Sequence, residues 1–386
     1  MMAPRPTRIV LVCEATGGGV GKHVLDVAER LPAHGFEVLV VHGTRRAEPE
    51  FAERLSAHAQ HGYHVAQVDV DRAPGPRDMM GVMQLRRAVR EFGGADVLHG
   101  HSAKGGALAR LARWRCARRV FYTPHAFYAQ APSLSATGRR IYGLAEHALA
   151  YATDRVIATS HDELGLARRL GIPAHKLTVV ENGIAVRTDA DLARARESAL
   201  VALGVGPDER VVGFVGRLVP QKAPVLAVDV FRRARATYPR VRFVLVGDGP
   251  EAPAVHEALR AADLEHDVIW VRRGVGGDVV PAFDVLLVTS HYEGFPYVML
   301  EALDSGCAIV STAVGGARDC IVAGRNGEIV PSPSAQLLVS AISPFIESAD
   351  RRRIAHGVSR ERAHEFEVGR MVDRLATLYR DAAHAA

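Results

Sequence analysis

The sequence predicts an α/β protein built of two parallel-sheet domains in tandem, and three observations carry that prediction. Short apolar runs recur along the chain, each followed by a turn and then by a stretch with helical spacing. The runs are apolar throughout rather than alternating, as strands buried on both faces are. The series then starts afresh past the middle of the chain, after a polar, alanine-rich helix closed by Gly204.

In chain order, "RIVLVC" (8–13) is the first strand and leads into "EATGGGVGKHVLDVAERL", where Val24, Val27, Ala28 and Leu31 share a helical stripe. "EVLVV" (37–41), "DVLHG" (96–100), "RVFYT" (119–123), "RVIATS" (155–160) and "KLTVVEN" (176–182) continue the set. Between them Val82, Leu85, Val89 and Phe92 form one helix face that ends at Gly93-Gly94, a C-cap signal. The second series runs "RVVGFVG" (210–216), "RFVLVGDG" (242–249), "DVIWV" (267–271), "DVLLVTS" (284–290) and "AIVSTAV" (308–314). The domains are set at 1–188 and 189–365, with a helix over 366–386 carrying Val368, Met371, Val372, Leu375 and Leu378 at helical spacing.

Bulk properties exclude several classes. A chain of 386 residues exceeds one ordinary core, and 48% apolar with 6% aromatic residues fits a globular α/β protein. No apolar run nears the roughly 20 residues that span a bilayer, and Glu14 interrupts the first run too early for a secretory leader. Cys13, Cys116, Cys307 and Cys320 are too scattered for a zinc or disulfide framework, so a reducing cytoplasm is the expected location. The net charge of +5 favours anionic partners. From Lys104 to Arg119 the chain carries six cations and no acid, with Trp114 among them. That stretch reads either as a solvated helix face or as a helix lying on an anionic membrane surface. Nucleic acid is not expected, because interleaved stacking aromatics are missing.

Ligands of open α/β sheets gather at the carboxyl ends of strands, so polar residues there are the site candidates. Gly17 to Gly21 follow the first strand and open a helix, a turn that serves either structure or close approach to a phosphate. No acid follows strand two, where "VLVVHGTRR" offers His42 and arginines, which disfavours a nicotinamide dinucleotide. His99, His101 and His125 end or follow strands; without a carboxylate or cysteine at matching spacing, metal is not expected. "DVD" (69–71) imitates a metal-binding pair but reads as a strand end. Arg217 and Lys222 flank a turn after the first strand of the second domain and suit a diphosphate. Glu293 and Glu301 lie eight positions apart in "EGFPYVMLE". If most of that span is helical, its rise is about 12 Å. Glycoside-cleaving carboxylates face each other roughly 5 to 9.5 Å apart, so this pair is expected to hold an extended ligand rather than attack. The amides of Gly294 to Tyr297 would face an anion between them.

Together "GGGVGKHV", "VVENGI", "GRLVPQK", "VGDGPE" and "EGFPYVMLEA" resemble retaining glycosyltransferases of family 4, which have the GT-B fold of two facing Rossmann-like domains with a cleft between them. "HSAKGGALARLA" and "FYTPHAFY" are most similar to bacterial enzymes that build capsule, lipopolysaccharide or exopolysaccharide. The resemblance implies transfer of a hexose or N-acetylhexosamine from a nucleotide-diphosphate sugar (UDP first, GDP next) to a polyprenyl-diphosphate-linked or other glycan acceptor, with no cofactor or metal. His125, Arg217, Lys222 and Glu293 would be catalytic. Donor contacts would come from Gly18, Gly19, Gly216, Asp248, Arg273, Gly294, Phe295, Pro296, Tyr297 and Glu301, besides Arg217, Lys222 and Glu293. Gly19, His101, Lys104 and His125 would face the acceptor, and the last helix would cross back to the first domain. Arg272-Arg273 depart from the family's small residue and glycine near the base. Work at the inner face of the cytoplasmic membrane is the implied setting. A soluble-acceptor enzyme of the glucan or disaccharide synthase type, a sugar-nucleotide epimerase and a non-catalytic partner protein on the same fold are the alternatives.

Overall fold

The computed structural model describes residues 5–45, 48–131, 134–206, 208–272 and 276–384. The chain divides into two compact units. One comprises 1–130, 134–183 and 368–386; the other comprises 131–133 and 184–367. The division thus falls at 183/184, where 188/189 was expected.

The first unit has seven strands: β1 (Thr7–Cys13), β2 (Phe36–Gly43), β3 (His64–Val68), β4 (Ala95–His101), β5 (Ala117–Thr123), β6 (Arg155–Ala158) and β7 (Leu177–Val179). They pair in parallel in the order β3-β2-β1-β4-β5-β6-β7. Alternate residues of one strand enter opposite cores. Ile9, Leu11 and Cys13 pack with the helix Gly18–Arg30 and the helix Val368–His384. Val10 and Val12 pack with Val82, Leu85 and Leu108 from the helices Arg77–Glu91 and Ser102–Ala112. Burial on both faces explains why the strands read as unbroken apolar runs. The last helix is held to this unit by Met371, Leu375 and Tyr379 in the core and by the Arg374–Glu181 ion pair.

The second unit has six: β8 (Arg210–Val215), β9 (Val241–Val246), β10 (Val268–Val271), β11 (Val285–Val288), β12 (Ala308–Thr312) and β13 (Gly327–Val330). Their order, β10-β9-β8-β11-β12-β13, repeats the pattern of the first sheet. Each sheet therefore reverses its winding once, between β1 and β4 and between β8 and β11. Loops leaving the carboxyl ends of strands beside such a reversal diverge and leave a crevice. The sequence reading missed β3 and β13. Both are edge strands, and β3 is too exposed to carry a continuous apolar run.

The six cations of 104–119 do not form one solvated face. Lys104 is buried and donates to Asp78 (2.6 and 2.7 Å) and to the Ala73 carbonyl (2.9 Å). Arg110 is buried on Glu146 (2.8 Å) and lies over the Tyr122 ring. Arg113 and Arg119 share Asp154, while Arg118 pairs with Asp96 at 3.6 Å. Arg115 and Arg118 stay exposed, and beside them this face exposes a run of apolar side chains. Eight of the twelve exposed large hydrophobics of the described residues are Met79, Met80, Met83, Leu111, Trp114, Ile141, Leu144 and Tyr151. They sit on or beside the helices Arg77–Glu91, Ser102–Ala112 and Ala136–Ala150, which cover one face of the first sheet.

Candidate active site

In the second unit the candidate residues gather beyond the carboxyl ends of β8, β9 and β11. Lys222 lies on the short turn Pro220–Lys222 after β8. Its Nζ meets Glu293 Oε1 at 2.6 Å as an ion pair. Gln221 Nε2 donates to the Tyr292 carbonyl (3.0 Å) and to Glu293 Oε2 (3.3 Å). The His291 amide donates to the Gln221 carbonyl at 2.8 Å, and Thr289 Oγ1 to that of Lys222 at 2.8 Å. The loops on both sides of the winding reversal are thus tied together through Gln221 and Thr289, neither of which the motifs had singled out.

Arg217 is exposed one residue beyond Gly216, and the next amide, Leu218, donates to the Asp248 carbonyl (2.9 Å). The Asp248 carboxylate is exposed, with Arg272 at 3.9 Å. Gly315 explains the position of Glu293 and Gly294: a Cβ there would lie 2.4 and 2.5 Å from their carbonyl oxygens. Arg273 lies outside the described residues.

Three expectations about this cluster change. Lys222 meets a carboxylate of its own unit, so the acid missing from its sequence neighbourhood is Glu293, 71 positions away. The helix carrying Glu301 begins only at Tyr297, with Pro296 as its extended N-cap. Only the steps from Tyr297 to Glu301 are helical, a rise of about 6 Å. Pro296 also has no N–H, so it offers no donor to an anion within the stretch Gly294 to Tyr297. No side chain caps this helix, which leaves its positive end to the backbone.

In the first unit the candidates gather at the ends of β1, β4 and β5. Gly18 (φ 61°) and Gly19 are exposed at the start of the helix Gly18–Arg30. Gly21 allows the close turn, since a Cβ would stand 1.7 Å from the Thr16 carbonyl oxygen. The register pairs Cys13 with His101 and His101 with Thr123, which brings His101 and His125 beside this turn. His101 Nδ1 and His125 Nε2 lie 3.2 Å apart. His99 is buried between Tyr379 Oη (2.6 Å) and Thr123 Oγ1 (2.8 Å). Lys104 does not join them; the buried pair with Asp78 holds it elsewhere.

A residue absent from the sequence reading does join them. His23, on the helix after the glycine turn, is buried with its ring centroid 4.8 Å from that of His125 and 5.2 Å from that of His101. Its only signal was its place in "GGGVGKHV". Burial lowers the His23 pKa to about 4. Burial, then neighbouring imidazoles, holds His99 and His101 well below 6.5. His125 moves the same way, though its partly exposed edge weakens desolvation. All four rings are neutral at pH 7 and act as neutral donors and acceptors.

The loop of His125 is strained. His125 (φ 55°) and Ala126 (φ 104°) both occupy positive φ, and neither is glycine. The buried Glu163 carboxylate holds the bend by accepting from the Ala126 amide (2.7 Å), the Thr159 amide (2.6 Å) and Thr159 Oγ1 (2.9 Å). Non-glycine residues in such conformations persist only where their surroundings hold them, and they cluster at functional sites.

Ring nitrogens of His23, His101 and His125 lie within 4.8 Å of one another. Tetrahedral zinc at about 2.0–2.1 Å would bring its ligand nitrogens roughly 3.4 Å apart. The observed spread is wider, so these rings fit zinc only after moving. The "DVD" carboxylates are engaged as well, Asp69 with Arg45 and Asp71 with Arg77.

Comparison with known proteins places this geometry. Residues 18–183 match the family model described as glycosyl transferase 4-like domain, and 196–360 that of glycosyl transferases group 1. A D-inositol 3-phosphate glycosyltransferase of Gordonia bronchialis is 27% identical, covering 97% of this chain and 89% of its own. Its counterpart in Acidothermus cellulolyticus is 29% identical, covering 95% and 86%. The crystal structure of Anabaena HepE in complex with UDP and glucose superposes with a TM-score of 0.79 at 22% identity, over 97% of this chain and 100% of that one. Sucrose-phosphate synthase of Thermosynechococcus elongatus gives 0.80 at 22%, over 98% and 100%. The chain therefore joins a glycosyl transferase 4-like domain to a glycosyl transferases group 1 domain, and it has the GT-B fold.

Proposed function

We propose that this chain is a retaining, metal-independent transferase that moves a hexose or N-acetylhexosamine from a nucleotide-diphosphate sugar, a UDP-sugar before a GDP-sugar, to a hydroxyl acceptor. The observation that carries the reading is the Lys222–Glu293 ion pair, beside the start of the helix Tyr297–Asp304 at a winding reversal. A diphosphate offers Lys222 a better partner than a single carboxylate and suits the uncapped helix start. When Lys222 turns to it, Glu293 is released to accept hydrogen bonds from sugar hydroxyls. Arg217 adds charge to the departing diphosphate, the kind of developing charge that preorganised cations stabilise. Asp248 and Glu301 serve the donor as well, Glu301 at the ribose. In the first unit, His101, His125 and the turn at Gly18 and Gly19 serve sugar and acceptor hydroxyls.

For the acceptor we propose a polyprenyl-diphosphate-linked or other glycan presented at the inner face of the cytoplasmic membrane. Support comes from the exposed face bearing Trp114, Leu111, Leu144 and the three methionines, flanked by Arg90, Arg115, Arg139 and Arg140. Arg110 and Lys104, part of the basic stretch first considered for this role, are buried and take no part. A small phosphorylated polyol is the second reading, favoured by the relatives that carry inositol phosphate in their names.

The test is a panel of UDP-, GDP-, ADP- and dTDP-sugars in EDTA, reading melting temperature and slow release of nucleoside diphosphate. Ligand at 100 times its dissociation constant adds about 2.7 kcal/mol. One sugar nucleotide should both stabilise and be hydrolysed, with release lost in Lys222→Ala. An active Lys222→Ala enzyme sinks the diphosphate assignment; release only on adding a divalent ion sinks metal independence. Transfer to D-inositol 3-phosphate but not to a polyprenyl-linked sugar would select the second reading.

A further inference from the structure

His23 belongs to no motif role assigned above, yet it is the side chain with the most defined chemistry in the first unit. It is buried, and its Nδ1 lies 3.0 Å from the side-chain oxygen of buried Asn182. That oxygen only accepts, so Nδ1 carries the ring proton and Nε2 is left as a lone-pair acceptor. Among the described residues no hydrogen-bond partner reaches His23 Nε2, nor Nε2 of the adjacent His101. A buried acceptor without a partner costs about 1–3 kcal/mol, a penalty that a hydrogen-bond donor from outside the chain would offset. The atom stands among the ring nitrogens of His101 and His125, at the glycine turn that closes over β1.

We propose that His23 Nε2 accepts a hydrogen bond from the acceptor hydroxyl and orients it for attack. This rests on the glycosyltransferase reading above. The hydroxyl oxygen forms the new bond to the anomeric carbon, the bond from that carbon to the phosphate oxygen breaks, and the diphosphate leaves with the electron pair. The hydroxyl proton ends on the departing diphosphate. With a pKa near 4, His23 is a weaker base than a nucleoside diphosphate's terminal oxygens, so it aligns the hydroxyl and does not keep the proton. Asn182 is a positioning residue that sets the tautomer.

Water takes the acceptor's place in slow donor hydrolysis, so no acceptor need be known for the test. The variants His23→Ala and His23→Gln would be compared with the wild-type chain for UDP binding by calorimetry, for hydrolysis of the sugar nucleotide selected by the panel, and for Zn2+ binding. His23→Ala should lower hydrolysis at least about tenfold while UDP affinity stays within about twofold. His23→Gln, which returns an amide to the place of Nε2, should recover part of the rate. Hydrolysis within twofold of wild type in His23→Ala overturns the proposal. Equal losses in both variants together with weaker UDP binding make the role structural and overturn it too. Tight Zn2+ binding, one ion per chain and lost in His23→Ala, assigns the three rings to a cation instead. If the wild-type chain hydrolyses no sugar nucleotide, the parent reading fails, a result distinct from any defect confined to the variants.

Discussion

Removing the Glu163 carboxylate should loosen the His125 loop and slow catalysis without touching nucleotide binding. Glu163 lies in the first turn of the helix His161–Arg169, whose N-cap Ser160 accepts from the Glu163 amide at 3.1 Å. The side chain reaches back past the cap to Thr159 and out to Ala126. In Glu163→Gln the amide oxygen can accept from one of the two backbone N–H groups, and its NH2 then faces the other. One buried donor left unsatisfied costs about 1–3 kcal/mol, and weakening a charge-assisted bond adds a further ~1 kcal/mol. Relaxing the positive-φ pair returns some of this, since each such residue stores about 1–3 kcal/mol. A net loss of about 2 kcal/mol remains, which in a unit of this size lowers the melting temperature by roughly 4–8 °C. Donor hydrolysis should fall at least about tenfold as His125 leaves its position. UDP affinity should hold, because Arg217, Lys222 and Glu293, proposed above to serve the donor, lie in the other unit. Thermal melts, calorimetry with UDP and nucleoside diphosphate release are the three assays. A lowered melting temperature with unchanged turnover at 25 °C would reduce Glu163 to a stabilising residue and refute its claim on His125.

The histidine centre makes the first unit acid-labile. As pH falls through 6.5 the unfolded chain takes up a proton at His23 that the folded chain refuses until about pH 4, so stability falls across that window. For His23 alone the loss at pH 5 is about 2 kcal/mol, and His99, His101 and His125 act in the same direction. Melts at pH 7.5 and pH 5 should differ in wild type and differ less in His23→Ala; equal differences would contradict the buried neutral rings. Gly315→Ala pushes a methyl group into the Glu293 and Gly294 carbonyls and should weaken UDP binding about tenfold in calorimetry, at a stability cost of about 1–3 kcal/mol. Trp114→Asp with Leu144→Asp should reduce sedimentation with liposomes containing anionic lipid while leaving donor hydrolysis intact, and undiminished sedimentation would remove that face from the membrane reading.

Most of the fold is legible in the sequence because burial on both faces leaves a local mark. Eleven of the strands stand out as apolar runs, and only the edge strands β3 and β13 escape. Turn residues at strand ends are local too, which is why Gly18, Gly216, Lys222, Glu293 and His125 could be named without coordinates. What sequence spacing does not carry is the partner. Whether Lys104 and Arg110 meet water or a carboxylate depends on Asp78 and Glu146, which lie 26 and 36 positions away. That Lys222 rests on Glu293 follows from the adjacency of β8 and β11. His23 joins His101 and His125 because β1 pairs with β4, and β4 with β5. Periodicity and turn chemistry act over a few residues and so can be read along the chain. The charge state, tautomer and strain of a site are set by groups that only the sheet order brings within hydrogen-bond reach.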